Sequence, residues 1–380
     1  MRRPAQGERI DVAVLGAGNG GVAAAADLGV RGFRVALANR SRERLEPFLR
    51  LGAVEMTGAL GEATVPVARI TTDVAEAVAG ADVVMLTVPA PGQAYYAEAL
   101  ASCLTPDQLV VLNASNTGSA LHVAQILAAH GAPPVAVAEL NSLTYICRMA
   151  SPTRVNITGP ARTVRMGVLP ATRAGESAAR FHRYYPQAEL VPSVLVTSLT
   201  NLNAVLHPPG MLLNAGWIEH TAGQFFYYYE GTTPAVARAI EAVDRERRAV
   251  AAAYGFDTPS FLDFFFRAGY TSRRAWEAGS VLEALRDSVP NRYIKAPPNL
   301  EGRYIQEDVG FGLVPLRALA QSVGVSVPTV EALVHLASVV TGVDYLEHGL
   351  NARRMGIDGA TRADVEYLAR TGPWREGAWR

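Results

Sequence analysis

The chain has 380 residues, 49% of them apolar, and its 35 basic and 35 acidic residues balance to a formal charge of zero. That length exceeds one small core and predicts two domains, while the charge balance removes any electrostatic reason to expect nucleic acid as a partner. No run reaches the roughly 18 consecutive apolar residues of a membrane span, and "MRRPAQGERIDVAVLGAG" meets its glycines before a signal-peptide core can form. A cytoplasmic protein acting on small molecules, with no nucleic-acid or membrane partner, is therefore expected. Cys103 and Cys147 are too few and too isolated for a disulfide framework or a zinc site, so free thiols and no bound metal are expected. Lys295 is the only lysine, which disfavours a Schiff-base or lysine-relay reaction unless that one residue supplies it.

In chain order, "IDVAVLG", an alanine-rich segment, "FRVALANR", "ADVVMLTVP", "QLVVLNAS" and "PVAVAEL" alternate short apolar runs with helical patterns. This predicts a doubly wound parallel β-sheet with helices on both faces. After the second strand, "AVEMTGALGEATVPVARITTD" carries β-branched residues and turn glycines and predicts an inserted hairpin. "TRVNITGPARTVRMGVLP" predicts two further strands joined by a Gly-Pro turn, followed by a helix near residues 172–184. From about residue 193 the pattern changes to helices around 196–206, 234–254, 275–286, 312–323 and 328–341, and "ATRADVEYLARTG" predicts a last helix ending at Gly372. The expected organisation is an α/β dinucleotide-binding domain over residues 1–192 and a mostly α-helical substrate domain over 193–380.

"VAVLGAGNGG" follows a predicted strand and opens a helix, with Gly16, Gly18 and Gly21 in G-x-G-x-x-G spacing and Asn19 and Gly20 between them. That context predicts a Rossmann-type nucleotide site: a tight turn, a close approach to pyrophosphate, and free N–H groups at a helix N-terminus. At the end of the second strand an enzyme using NAD usually places an acid against the ribose 2′-hydroxyl, and here stand Asn39, Arg40 and Ser41. An arginine fork with amide and hydroxyl donors suits a 2′-phosphate, so NADP(H) is expected over NAD(H). The alternative is that Ser41 caps a helix and Arg40 is solvated. Pro89, closing "ADVVMLTVP", completes the expected cofactor-binding set.

For chemistry in the second half, "VLHPPGMLLNAG" sets His207 before Pro208 and Pro209, while the remaining histidines fall within helical patterns, at a helix end or near the tail. The prolines predict a chain break at His207. Local rules leave open whether this residue is a helix end or an acid/base group beside a cleft.

The stretch from "NLNAVLHPPGMLLNAGWIEH" to "AVAAAYGF", together with "RYIQEDVGFGLVPLRALAQSVGVSVPT", resembles the helical domain of the octopine/nopaline (opine) dehydrogenases, and the domain order fits over nearly the whole chain. The resemblance implies reductive condensation, in which an amino acid's amine joins a 2-oxo acid such as pyruvate and NAD(P)H reduces the resulting imine. It also implies that His207 is the general acid/base and Asp308 its partner, with Glu307 a competitor for that role. Arg303 then binds a substrate carboxylate, and Ser142 and Cys147 in "AELNSLTYICR" face the substrate, although by themselves Arg303 reads as a surface residue and Cys147 as a small core residue. The family's usual N-P-G run is replaced by "NASNTGS" at residues 113–119. The aromatic runs "FFYYY" and "FFF" read as core packing before pocket lining. A hydroxy-acid or hydroxyacyl dehydrogenase is the runner-up, and a non-catalytic NADP(H)-binding redox sensor the alternative of another class. A homodimer is the assembly allowed for.

Overall fold

A computed structural model describes residues 9–162 and 164–374. The described chain forms two compact units: the first comprises residues up to Ser115, Ser119–Thr197 and the segment from Tyr367, and the second comprises Asn116–Gly118 and Ser198–Glu366. This corrects the expected single cut after residue 192, because the short segment before Ser119 and the C-terminal segment each belong to the unit that is distant in sequence.

The first unit contains strands β1 (Ile10–Leu15), β2 (Val35–Ala38), β3 (Ala53–Gly58), β4 (Ala63–Pro66), β5 (Arg69–Thr71), β6 (Ala81–Leu86), β7 (Leu109–Leu112), β8 (Ala136–Leu140), β9 (Tyr145–Met149), β10 (Arg154–Pro160), β11 (Val164–Leu169) and β12 (Ala188–Leu190). Its helices are α1 (Asn19–Val30), α2 (Arg42–Leu51), α3 (Val74–Val78), α4 (Ala90–Ala101), α5 (Ser119–Ala129) and α6 (Ala174–His182). Eight strands form one sheet in the order β12-β11-β8-β7-β6-β1-β2-β5, parallel from β8 to β5, with β11 antiparallel to β8. The expected doubly wound sheet is present. The strand order reverses between β1 and β6, which makes that point the crevice where such sheets bind ligands.

The expected hairpin exists as β3 and β4, but it extends into a second sheet of order β4-β3-β10-β9. Consequently β10 and β11 do not form a turn-linked pair: β10 joins β3 and β9, whereas β11 joins β8 and β12. The small sheet explains the composition of α1, which packs against β1 and β2 on one side and against β3, β4, β9 and β10 on another. A helix covered by two sheets has no polar face, and its buried run Val22, Ala23, Ala24, Ala25, Ala26 and Leu28 is correspondingly apolar and mostly small.

The second unit is helical. It contains α8 (Asn203–Leu212), α9 (Ala215–Thr221), α10 (Pro234–Ala253), α11 (Phe261–Arg267), α12 (Arg273–Glu277), α13 (Val281–Asp287), α14 (Arg303–Asp308), α15 (Val314–Ser322), α16 (Pro328–Thr341), α17 (Tyr345–His348) and α18 (Ala352–Met355), with a π-helical turn at Val309–Leu313. The short α7 (Val194–Ser198) and the final α19 (Arg362–Thr371) each span a division between the units. The helices expected over 234–254 and 328–341 are present, whereas 196–206 and 275–286 are each broken into two. Ser280 starts α13 by accepting from the Glu283 N–H, so the side chain that caps the new helix also ends the run.

α10 begins with Thr233 accepting from the Val236 N–H and with Pro234 in the first turn, where its missing N–H costs nothing. Its inward stripe includes Val236, Ile240, Val243 and Val250, and also Asp244 and Arg247. Arg247 is 2% exposed; it donates to Asp244 Oδ1 at 3.0 and 2.6 Å, to Thr258 Oγ1 at 3.3 Å and to the Pro259 carbonyl at 2.7 Å. Asp244 Oδ2 accepts the Phe261 N–H at 2.9 Å, so one buried ion pair fixes the loop that enters α11. Asp244→Ala strands the guanidinium without its counter-charge and is expected to cost about 3–5 kcal/mol, read by urea denaturation. A loss below about 1 kcal/mol, the worth of an exposed pair, would show that water replaces the carboxylate.

Candidate active site

The glycines after β1 serve three different ends. Gly16 has φ +118° and turns the chain, and a β-carbon there would meet Val88 and the Thr87 carbonyl. At Gly21 an added carbon would overlap the Gly16 carbonyl oxygen, so its absence lets α1 approach the strand end. Around Gly18 nothing lies within 4 Å of where a β-carbon would be, which leaves open space at the start of α1, the position where a pyrophosphate meets free N–H groups. This fits a dinucleotide. Asn19 accepts the Met149 N–H at 2.9 Å and ties the turn to β9, Gly20 makes room for Leu143, and Pro89 caps α4 beyond β6, at the strand-order reversal.

At the end of β2, Asn39 accepts the Ala17 N–H at 3.3 Å, and Ser41 caps α2 by accepting the Arg44 N–H at 3.2 Å. The capping alternative for Ser41 is thus realised, and Ser41 also lines a cleft of about 520 Å³ with Ala17, Glu43, Arg44 and Phe48. Arg44 reaches back to the Ala17 carbonyl at 3.3 Å. Arg40 does not line this cleft; its guanidinium lies 5.8 Å from the centre of the Tyr95 ring, and its N–H donates to the Tyr96 hydroxyl. Sequence reasoning singled out Arg40 because, with Asn39 and Ser41, it stands at the end of the second strand where an acid would meet a ribose 2′-hydroxyl. The helical position of Arg44, one turn inside α2, is what brings a guanidinium to the cleft.

In the second unit the chain does not break at His207. α8 runs through Pro208 and Pro209, and every residue from Ala204 to Leu212 is buried. The two missing N–H groups deprive the Ala204 and Val205 carbonyls of their usual helical donors, a cost of order 3 kcal/mol that burial of the whole segment offsets. Other groups brace it: the Tyr227 hydroxyl donates to the His207 carbonyl at 2.8 Å, through space left by Gly210, and Asn214 donates to the Gly210 carbonyl at 2.8 Å. The proline rule failed here because tertiary packing overrode it.

Asp308 ends α14, and the π-helical turn follows with Gly310 and Gly312. A β-carbon at Gly312 would lie 2.5 Å from the Ala204 β-carbon, so glycine there permits α8 to approach. The approach sets His207 Nδ1 2.7 Å from Asp308 Oδ2, with the two residues 4% and 1% exposed. Tyr304, four residues before Asp308 and on the same helix face, stacks on the imidazole at 3.7 Å between ring centres and 8° between planes. The Tyr228 hydroxyl is 3.0 Å from His207 Nε2, and the Tyr304 hydroxyl lies 3.1 Å from that of Tyr228. Burial holds the Tyr227 and Tyr228 phenols well above the ordinary tyrosine value, and the neighbouring Tyr304 adds to the effect. Sequence reasoning assigned "FFYYY" to core packing and did not single out Tyr228 or Tyr304. A helix over "RYIQED" was the available signal for Tyr304, since its i,i+4 spacing to Asp308 places both on one side.

Arg303 is exposed and sits 3.8 Å from Glu307, whose other oxygen accepts from Asn116 at 2.9 Å. Glu307 therefore faces Arg303 and Asn116, and it is Asp308 that bonds His207. Asn116 in turn accepts from Asn201 at 2.7 Å, giving part of the "NASNTGS" segment a defined place in this unit. Ser142 and Cys147 lie in the first unit. The loop holding Ser142 is pinned by a reciprocal pair of bonds between Asn113 and Thr144 at 2.9 and 3.1 Å. Cys147, opposite Ile157 in the β9–β10 ladder, belongs to the apolar core, and burial pushes its thiol up to about 11. Among the described residues no cluster of histidine, cysteine and carboxylate side chains suits a metal ion.

Residues 190–341 match the family described as NAD/NADP octopine/nopaline dehydrogenase, alpha-helical domain, and residues 11–136 match the NAD binding domain of 6-phosphogluconate dehydrogenase. The chain is 36% identical over 353 residues to an opine dehydrogenase of Arthrobacter sp. (strain 1C), a match covering 93% of this chain and 97% of the relative. It is 28% identical over 357 residues to Protein ocs of Agrobacterium tumefaciens (strain Ach5), covering 92% and 96%. An octopine dehydrogenase solved with NADH and L-arginine superimposes with a TM-score of 0.78 at 21% identity, over 97% of this chain and 99% of that one. Yersinopine dehydrogenase with NADP+ bound gives 0.71 at 21% identity, over 95% and 99%. The two structural likenesses speak for the fold, and the match to the Arthrobacter enzyme carries the family: the chain belongs to the opine dehydrogenases, NAD(P)-dependent oxidoreductases.

Proposed function

We propose that the protein reductively condenses a 2-oxo acid such as pyruvate with the α-amine of an amino acid, using NADPH. The observation that carries this reading is the buried His207–Asp308 bond of 2.7 Å. The carboxylate fixes the imidazole tautomer with its proton on Nδ1 and stabilises the imidazolium, which leaves Nε2 as the nitrogen that gains and loses a proton. That cycle matches the needs of the condensation, where a carbonyl oxygen must be protonated and leave as water. A bound nicotinamide supplies the hydride that reduces the imine.

Arg303 holds a substrate carboxylate, with its outward guanidinium kept in place by Glu307. Of the two further residues that the family likeness assigns to substrate contact, Ser142 is half-buried in the loop after β8 and keeps that assignment, whereas Cys147 sits in the apolar core and is assigned to packing. Gly16, Gly18, Asn19, Gly20, Gly21 and Pro89 form the dinucleotide seat. For the 2′-phosphate we assign Arg44 and Ser41, which line the same cleft, while Asn39 orders the turn through its bond to Ala17 and Arg40 lies outside the cleft against Tyr95. Glu43 lines the same cleft and works against an anion, which leaves Arg44 to decide the balance. The balanced charge and the free Cys103 and Cys147 accord with a cytoplasmic place for this activity.

Incubating the protein with NADPH, pyruvate and each of a panel of amino acids is expected to give amine-dependent NADPH oxidation and a secondary-amine dicarboxylic acid identified by mass. Oxidation that ignores the amine would point to a hydroxy-acid dehydrogenase instead. His207→Ala should lower turnover by about 10²–10⁴-fold while leaving NADPH affinity nearly unchanged by fluorescence titration. An equal loss of cofactor affinity would make the residue structural. Replacing Arg44 by alanine is expected to raise KM for NADPH by about 10- to 100-fold, the worth of a lost charge-assisted bond, and to spare NADH. An unchanged NADPH-to-NADH ratio would refute the 2′-phosphate assignment.

A further inference from the structure

Resting on the reading of His207 as the acid/base, the geometry points to a longer proton path than a dyad. Both imidazole nitrogens are engaged, Nδ1 by Asp308 at 2.7 Å and Nε2 by the Tyr228 hydroxyl at 3.0 Å. One ring face is covered by Tyr304, and the residue is 4% exposed. The hydroxyl on Nε2 is in turn 3.1 Å from the hydroxyl of Tyr304, which is half-buried where Tyr228 is 6% exposed. The order Asp308, His207, Tyr228, Tyr304 thus runs from the most enclosed group to the least. We propose that His207 exchanges protons with the substrate through Tyr228 and Tyr304, and that the Tyr304 hydroxyl is the catalytic group that meets the reacting oxygen.

The donor directions follow from the tautomer. With Nδ1–H donating to Asp308, a neutral His207 accepts at Nε2 from Tyr228, which accepts from Tyr304. When His207 is protonated the whole line reverses: Nε2–H donates to Tyr228, Tyr228 to Tyr304, and the Tyr304 O–H is released to point at an acceptor. In imine formation the carbinolamine C–O bond breaks as the nitrogen lone pair forms C=N. The departing oxygen takes the Tyr304 proton and leaves as water; Tyr304 recovers a proton from Tyr228, and Tyr228 from Nε2. The net change is one proton from the imidazolium to water, and each phenol, having passed on its own proton and received its neighbour's, ends as neutral as it began. Burial disfavours a phenolate at Tyr228, so the hops are concerted and the phenols act as conductors, with the charge kept on the His207–Asp308 pair. Position supports the assignment as well: Tyr304 is the chain neighbour of Arg303, the residue assigned to a substrate carboxylate, so anchor and proton donor sit at the same end of α14.

The test uses Tyr228→Phe and Tyr304→Phe in the full chain, which keep the rings and remove only the hydroxyls, with His207→Ala in parallel and pyruvate plus the amino acid turned over fastest in the panel. Each phenylalanine variant is expected to lose kcat by roughly 10²–10⁴-fold, the range of a lost acid/base, with KM for NADPH and pyruvate little changed. The residual rate should also lose the limb of the pH–rate profile that disappears in His207→Ala, because His207 no longer communicates with the substrate. Among the described residues, the titratable groups facing His207 are Asp308 and Tyr304 from α14 and Tyr227 and Tyr228 from the segment after α9, so none besides these is expected to supply that limb. A structural role would depress the rate but leave the limb in place, and that result would overturn the proposal. Wild-type kcat in both phenylalanine variants with loss in His207→Ala would also overturn it and leave direct exchange from Nε2. Should all three variants retain kcat, the acid/base reading itself fails. If Tyr228→Phe does not fold, Tyr304→Phe decides alone by the same two readouts.

Discussion

One turn of helix sets the geometry of the candidate site in the second unit. Tyr304 and Asp308 are one i,i+4 step apart on α14, and the His207 ring lies along that face, stacked on the first and hydrogen-bonded to the second. Stacking fixes the plane of the imidazole, and the carboxylate fixes its rotation and tautomer. Two contacts therefore remove the two freedoms that a histidine side chain keeps after its backbone is placed. The rest of the helical unit supplies the condition for this: α8 must come close enough to α14 to lay the ring down.

That closeness has local causes. Tyr227 and Asn214 brace the α8 backbone at the His207 and Gly210 carbonyls, on either side of the two prolines, and the π-helical turn with Gly312 removes the side chain that would hold the helices apart. π-helical turns inserted between α-helical segments are frequent at functional sites, and here the insertion begins at the residue after the carboxylate. In the first unit the corresponding constraint is the approach of α1 to β1. Gly21 permits it, and the small sheet covers the remaining face of an alanine-rich helix that would otherwise expose apolar surface.

What the sequence made legible follows from how local each cause is. Gly16, Gly18 and Gly21 are read from spacing because a positive φ, an open approach and a close packing contact each need glycine at one position. The alternation of strands and helices revealed the main sheet, but nothing local distinguishes a hairpin from part of a second sheet, so β9 and the partners of β10 were missed. His207 was misread as a break because proline rules describe an isolated helix, and a fully buried one obeys its neighbours instead. Its pairing with Asp308 joins two distant segments, so family likeness, not spacing, pointed to it. Tyr228 was hidden for another reason: in "FFYYY" a phenol that bonds an imidazole and one that fills a core have the same sequence signature.

Gly312 gives the site a dimension that no polar residue controls. Its missing methyl lets Ala204 seat against the π-helical turn, while one turn further along α8 the imidazole meets Asp308. The donor–acceptor distance at the centre of the site is thus gauged by steric contact at the neighbouring turn, much as a shim sets the gap between two plates. A substitution that adds one carbon at the shim would change the spacing of His207 and Asp308 without replacing a charged residue or a hydrogen-bonding side chain.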